Sequence, residues 1–516
     1  MERHTRKPAR AERSTKRSRG NRAVTYHRLV TLVLLSASLA GCAAGPAFER
    51  PVVPVVGVYT PNALPAQTDS APGALGGAQR FTGAPADSTQ WWRALGSPTL
   101  DTLIAHALKE SPTVIAAEAT LRQSQALFAA QAGATRYPQA DASLGAQRQR
   151  FNPAALGQDS DAREFGLFNA SIGVRYKLDL FGGNRRALEA LAARADYRRY
   201  QWDGARLTLS AAIVGTATTQ AQLFAQIEAL DAILAIDEEQ LEIARQRQRL
   251  GAASPDEVLA LQQQRDQTRA SIPRQRQLLE QSAHLLATLA GRPPGTAGLP
   301  AFVMSDLVLP TDLPLIVPSE LVRRRPDILA AEALMHAANA DYGAAVAKLY
   351  PQVNLSSSIG SQALSAGALF GGGTAIWSLV TQLTQPLLNP GLPAEKRAAL
   401  AAFESAAANY QGVVLESLRD MADILRALDN DAQALSALAS ADEASQAALE
   451  SVKRQYALGA VGYLQVLAAQ RVSRQAQINL IAARTQRLLD SVSYYQAIGG
   501  STEPPPTHTR TERERD

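Results

Sequence analysis

The chain has 516 residues, a formal net charge of +5, one cysteine, and only 5% aromatic residues beside 46% hydrophobic ones. Few aromatics among abundant Ala, Leu, Gln and Arg favour long helices over a β-rich globule. The charge does not mark a nucleic-acid surface: residues 1–41 hold ten Lys/Arg against two Asp/Glu, whereas the remainder holds 42 against 45. A single cysteine excludes an intramolecular disulfide and a thiolate metal cluster.

Residues 1–41 read as an export signal. A basic stretch ending at Arg28 precedes LVTLVLLSASL, Leu29 to Leu39, too short to span a bilayer as a stable helix. Leu39-Ala40-Gly41-Cys42 then places the only cysteine directly after small residues, the arrangement a lipoprotein signal requires. The Cys42 thiol is the expected diacylglycerol acceptor, and cleavage leaves it first in the mature chain, open to N-acylation. These lipid chains are the only non-protein groups expected; no cofactor and no metal are. Ala43 in place of aspartate directs such a lipoprotein to the outer membrane. Residues 42–90, rich in Pro, Gly, Val and Ala without helical period, read as a lipidated extended tether.

From Trp91 the chain is written twice. Ser111-Pro112 through AAEA, Ala116 to Ala119, returns at Arg325-Pro326 through Ala330 to Ala333, an offset of 214, and Tyr137-Pro138 returns as Tyr350-Pro351, an offset of 213. Gly183, Gly204 and Gly251 return as Gly391, Gly412 and Gly459, each offset by 208. The repeats occupy 91–290 and 319–500, joined by a linker over 291–318 and followed by a polar tail over 501–516 that reads as disordered.

Each repeat reads as helix, two strands, very long helix, helix. The first helix runs from Thr113 to Thr135 and stops at Tyr137-Pro138. Phe168 to Leu180 alternates without a break: Ile172, Val174 and Tyr176 fall on one face, and Arg175, Lys177 and Asp179 on the other. Ala140–Arg148, Val353–Gly360 and Trp377–Leu387 are read as strands partly by repeat symmetry, with Pro386 confined to a strand end. Asn184 to Arg249 contains no proline and predicts a helix of roughly 100 Å. Its Leu223, Ile227, Leu230, Leu234 and Leu241 have coiled-coil-like spacing.

Four strands cannot close a membrane barrel, and open edges in lipid leave backbone hydrogen bonds unmade. Cyclic symmetry supplies the missing strands: three copies give twelve. Arg175, Lys177 and Asp179 would then face a wet lumen and the apolar face the outer-membrane lipid.

The residues now carry a family resemblance. The lipobox followed by GPAFERPVVP, Trp91-Trp92 before LGSPTLDTLI, the two Tyr-Pro breaks, LDLFGG, RRRPDI (Arg323 to Ile328) and the paired glycine breaks resemble TolC-type outer-membrane factors, in their lipoprotein (NodT-like, OprM-like) branch. The resemblance covers nearly everything from the lipobox to about Gly500. It implies an α+β membrane protein, internally duplicated: a homotrimeric 12-stranded outer-membrane β-barrel with four strands per protomer, continued by a long α-helical periplasmic barrel. It implies passive efflux of drugs or toxic small molecules delivered by an inner-membrane pump, of the resistance-nodulation-division type in this branch, and a periplasmic adaptor.

The paired breaks acquire a role from it. Leu250-Gly251-Ala252 and Leu458-Gly459-Ala460 match the family's adaptor-docking tips. In the family a tyrosine three residues before the second tip glycine pairs with an acid six residues after the first; here these are Tyr456 and Glu257. A family arginine two residues after that glycine is Val461, and aspartates six and nine residues after it are Gln465 and Ala468. The carboxylate ring of some relatives is therefore missing, and Leu464, Gln465, Asp256 and Glu257 are expected to line the gate instead.

Enzymatic readings gain nothing from the sequence. The six histidines stand isolated, and no metalloprotease, phosphate-loop or serine-elbow motif occurs. Two non-enzymatic alternatives share the exported helical hairpins: a periplasmic adaptor-like protein and a structural envelope lipoprotein. Duplication with two strand pairs argues against the first, and a strand with a charged face against the second.

Overall fold

The computed structural model describes residues 44–51, 57–83, 90–152, 157, 161–296 and 298–500. The leader, Cys42 and the tail after Gly500 lie outside the described residues.

The duplication is present element by element. Helix α1 (Pro98–Glu110) leads into the first repeat, which has α2 (Pro112–Arg136), β2 (Gln139–Phe151), β3 (Arg163–Leu178), α3 (Gly183–Arg249) and α4 (Pro255–Leu289). The second has α6 (Pro326–Ala347), β5 (Gln352–Ala363), β6 (Ala375–Thr384), α7 (Gly391–Ala457) and α8 (Tyr463–Ala497), after a single turn α5 (Pro318–Leu321). Both long helices have 67 residues and both return helices 35, so insertions are confined to strands and loops. Pro273 lies inside α4 without ending it. No helix of the described residues is long and apolar enough to cross a membrane.

The chain folds as two compact units that interleave the repeats. One contains residues up to Phe48, Ala129–Ala190 and Ala338–Phe403. Its centre is an antiparallel sheet in the order β2-β3-β5-β6. The strand expected over Phe168–Leu180 begins earlier, at Arg163, and stops at Leu178; that expected over Trp377–Leu387 ends at Thr384, before Pro386. The N-terminal segment is held in this unit: Ala44 N–H donates to the Phe181 carbonyl at 2.9 Å, and Arg186 Nη2 to the Pro46 carbonyl at 2.9 Å.

The other unit contains Glu49–Phe128, Leu191–Ala337 and residues from Glu404 onward. Its core gathers Trp91, Trp92, Ile104, Ile213, Phe302, Leu313, Met421, Leu488 and Tyr494. Trp91 stacks on Tyr495 with centroids 5.5 Å apart, and Trp92 Nε1 donates to Asp101 at 2.9 Å.

The segment read as an extended tether over 42–90 is attached to the body along its described residues. Strand β1 (Arg80–Thr82) pairs in parallel with β4 (Asp312–Pro314), so the tether and the inter-repeat linker form one small sheet. Thr68 and Gln79 are buried, and Arg487 Nη2 donates to Thr68 Oγ1 and Gln79 Oε1, both at 3.0 Å. The attachments are apolar as well as polar: Leu75 joins the core, and Tyr59, Leu64 and Phe81 pack against it, but these residues are too scattered along the segment to give a hydrophobic period.

The buried stripe of α3 agrees with the expected one at Leu223 and Leu241 and departs from it between them: Ala229, Ile233 and Asp237 are the inward positions there, while Ile227, Leu230 and Leu234 are half-buried. A helix with more than one packed neighbour needs more than one seam, and a single heptad count finds only one of them.

Candidate functional site: helical tips and sheet faces

Both expected tips are turns of one construction. At the first, Gly251 N–H donates to the Gln248 carbonyl at 2.9 Å and Ala252 N–H to that of Arg247 at 2.8 Å. At the second, Gly459 and Ala460 donate to Tyr456 and Gln455, both at 2.9 Å. This crossed pair is the Schellman motif, whose pivotal residue must be left-handed; Gly251 and Gly459 have φ of +72° and +73°. A Cβ on either glycine would meet nothing within 4 Å in this chain, so the backbone angle, not crowding, selects glycine. Gly462 differs: its φ is −81°, and it serves as an extended N-cap to α8.

The turns project their apolar residues outward. Leu250 is 84% exposed and Leu458 85%, and Ala252 and Ala460 are exposed beside them. After the first turn, Ser254 caps α4 by accepting from the Glu257 N–H, with Pro255 at the first helical position.

The expected pairing of Tyr456 with Glu257 is corrected. Glu257 Oε1 accepts from Arg247 Nη1 at 2.8 Å, and the same guanidinium donates through Nη2 to the Ala252 carbonyl at 2.9 Å. An arginine one turn before the break reaches across its own hairpin and takes the acid first. Tyr456 instead packs its ring against Tyr463, with centroids 5.3 Å apart.

Tyr463 faces the other hairpin: the Glu239 carboxylate of α3 as acceptor for its hydroxyl, then burial, then the Glu239 charge raise its phenol above the ordinary value. Leu464 is half-buried, while Gln465 and Ala468 are exposed.

A second tie was invisible at the level of motifs. Asp237 of α3 is only 1% exposed. It accepts from Gln264 Nε2 and Thr268 Oγ1 of α4, both at 2.6 Å, and Arg471 Nε of α8 lies 3.1 Å away. One buried carboxylate thus binds three helices from both hairpins. Its only sequence signal is an acid in register with Ile233, Leu241 and Ala244.

Across its middle rows the sheet has two chemically distinct faces, although Ile376 and Val380 of β6 share the face of Ser378. Ala142, Ile172, Ile359 and Trp377 are paired in one row across all four strands, with Val174 and Leu379 in the next. Trp377 is 79% exposed. The opposite face carries Asp141, Ser143, Ser171, Arg175, Lys177, Ser358 and Ser378. There Arg175 Nη2 meets Asp141 Oδ2 at 2.5 Å, and Ser143–Ser171 and Ser358–Ser378 form cross-strand hydroxyl pairs at 2.9 and 2.8 Å. Arg175 and Lys177 therefore take the polar face as expected.

Asp179 does not, which is a further correction. It lies past the end of β3, where alternation no longer applies, and its carboxylate accepts the N–H groups of Asn184 and Arg185 at 3.0 and 2.8 Å. Its work is to satisfy the first amides of α3 and to complement that helix dipole.

Among the described residues no group of His, Cys, Asp and Glu is arranged to hold a metal ion. His106 Nε2 accepts from Arg292 Nε at 3.3 Å, with Nη2 of the same guanidinium 3.1 Å away. Gly371 to Gly373 lie in the turn between β5 and β6, with Gly373 at φ +87°.

Comparison with known proteins agrees with this architecture. The outer membrane efflux protein family matches residues 103–292 and 317–500. The pyoverdine export outer membrane protein OpmQ of Pseudomonas aeruginosa is 34% identical over 432 residues, 80% of this chain and 88% of its own. The probable outer membrane lipoprotein SilC of Salmonella typhimurium is 27% identical over 91% of this chain and 98% of its own. The solved structure of the outer-membrane channel OprN superposes with a TM-score of 0.78 at 25% identity, over 89% of this chain and all of that one. With nearly three-quarters of its length matched, repeat by repeat, the chain belongs to the outer membrane efflux protein family, the outer-membrane channels of tripartite efflux systems.

Proposed function

We propose that the two Schellman tips are the docking surface for a periplasmic adaptor, and that the hairpin ties above them set the resting aperture. The observation that carries this is the pair of leucines, Leu250 and Leu458, held almost fully in solvent by equivalent turns. Exposed apolar side chains on rigid turns are unfavourable in isolation and are rewarded by a partner surface. With Val461, Gln465 and Ala468 in place of charged residues, the aperture is closed by half-buried Leu464 and by the Tyr463–Glu239 and Arg471–Asp237 ties rather than by a carboxylate ring.

Three copies close the barrel. Strands β2 and β6 are the edges of the sheet and are thirteen and ten residues long, so each offers a full ladder of unpaired backbone groups. Pairing β6 of one protomer with β2 of the next gives twelve strands with the Ile172–Ile359–Trp377 rows toward lipid and Arg175 and Lys177 toward water. Acyl chains on Cys42 anchor the assembly beside this wall: Ala44, fixed to Phe181, is only two residues further on, a reach of at most about 7 Å. Drugs or toxic small molecules are the cargo, handed over by a resistance-nodulation-division pump; metabolite export by a relative such as OpmQ fits the same passive role.

A photo-crosslinker at Ala460 in living cells tests the docking assignment. Capture of an adaptor hairpin, identified by mass spectrometry, supports it. Capture of neighbouring protomers alone, with trimers formed normally, overturns it.

A further inference from the structure

Away from tips and strands, α7 and α8 bring two acids together. Asp490 of α8 is 6% exposed. Its Oδ1 accepts from Gln486 Nε2 at 2.9 Å, while its Oδ2 is sealed from solvent with no donor against it. The group that acts on it as a hydrogen-bonding partner is a second carboxyl, Asp431 of α7. Two ionised carboxylates repel at such contact, whereas one shared proton converts the contact into a short O–H···O bond.

The other charged group acting on Asp490 is Arg487, on its own helix. That guanidinium is committed elsewhere, to Thr68 and Gln79 through Nη2 and to the Gly77 carbonyl through Nη1 at 3.1 Å. The arm over 68–79 faces this site with the uncharged Gln79, whose Nε2 donates to Ser491 Oγ at 2.9 Å. The site therefore holds two acids and one distracted base, with Asp490 Oδ2 sealed from solvent. Burial first, then the bond to Asp431, push the Asp490 carboxyl up to about 7, against the opposing pull of Gln486 and Arg487.

We propose that Asp431 and Asp490 hold one proton between them, and that this proton fastens α8 to α7 and steadies the arm packed on α8, forming a pH-sensitive joint. Asp490 titrates above its ordinary range, so the joint is complete below about pH 4 and is lost as pH rises through about 7. In alkaline surroundings both carboxylates are charged, and α8 loosens from α7 around this pair. The joint stands apart from the docking reading, since it involves neither tip.

The test uses the full-length protein in detergent micelles, with two readouts between pH 5.5 and 8.5. Infrared difference spectra follow the carboxylic-acid carbonyl band, and hydrogen exchange, corrected for intrinsic rate, follows peptides covering 480–498. In the unmodified protein the band disappears around neutral pH, and exchange rises about tenfold between pH 6 and 8. Asp490→Asn removes both effects; if that variant does not assemble, Asp431→Asn serves, moving the titration to lower pH by removing the repelling partner. Absence of a titrating acid band in this range overturns the shared proton. A band that titrates with no change in exchange, an exchange change that persists in Asp490→Asn, or one that stays at the same pH in Asp431→Asn, overturns the joint.

Discussion

Arg471 of α8 sits 3.1 Å from Asp237 of α3, although these residues belong to different repeats and to different hairpins. The aspartate side chain is wholly buried and the arginine is 42% exposed, so the pair is a surface-reaching cation plugging a buried anion. The guanidinium Nε is not aimed for a hydrogen bond, which makes the contact chiefly Coulombic. Arg471→Met should leave Asp237 buried with only the neutral donors Gln264 and Thr268, at a cost of about 3–5 kcal/mol. Adding Asp237→Asn should recover at least half of that, because the amide oxygen still accepts from Thr268. Unfolding midpoints of the four proteins at one protein concentration check both statements.

The same substitution should widen the resting aperture. Arg471→Met in planar bilayers is expected to raise open probability without changing the conductance of the fully open state. An unchanged open probability would remove this tie from the gate.

The tips allow backbone and docking effects to be separated. Gly251→Ala and Gly459→Ala force a β-carbon into the left-handed region, a cost of about 1–2 kcal/mol each. Leu250→Asp and Leu458→Asp leave the turn intact and place a charge on the exposed surface. The leucine variants should weaken adaptor binding at least tenfold with unchanged thermal stability. Calorimetric titration with the cognate adaptor, beside a melting curve, distinguishes the two classes.

The corrected role of Asp179 separates it from its former companions on the strand. Asp179→Ala should lower stability by about 1–2 kcal/mol through two released amides, leaving ion selectivity unchanged. Lys177→Glu should do the opposite, shifting reversal potentials toward cations. Reversal potentials in a salt gradient, measured with thermal unfolding, test the contrast.

Asp101 gives an acid limit to one part of the core. Hydrogen bonds from Trp92 and then Arg93 hold its carboxyl below the ordinary value. A lowered folded value means that its contribution is present above about pH 4 and lost as pH falls through the folded value. Tryptophan emission should therefore change on acidification below pH 4, and Asp101→Asn should remove that change.

Much of this was legible in the chain before any fold. The offset of 208 between Gly251 and Gly459 announced equivalent turns, and both have the left-handed angle that only glycine adopts freely. The alternation from Phe168 to Leu180 announced a two-faced strand, which the fold ends at Leu178, since side chains on a strand have a fixed period of two. Local backbone geometry and period are properties of neighbouring residues, so sequence by itself determines them. Partner choice is not such a property. Glu257 had a plausible tyrosine in the other hairpin and an arginine ten residues back; only the closed turn decided for Arg247. Asp179 looked like one more member of the charged face until the strand ended one residue before it. Asp237 with Arg471, Asp431 with Asp490, and Gln79 with Arg487 join residues far apart in sequence through one or two polar atoms. Such contacts leave no periodic trace, and tertiary structure decides them because it alone brings those atoms within bonding distance while excluding the water that would otherwise compete.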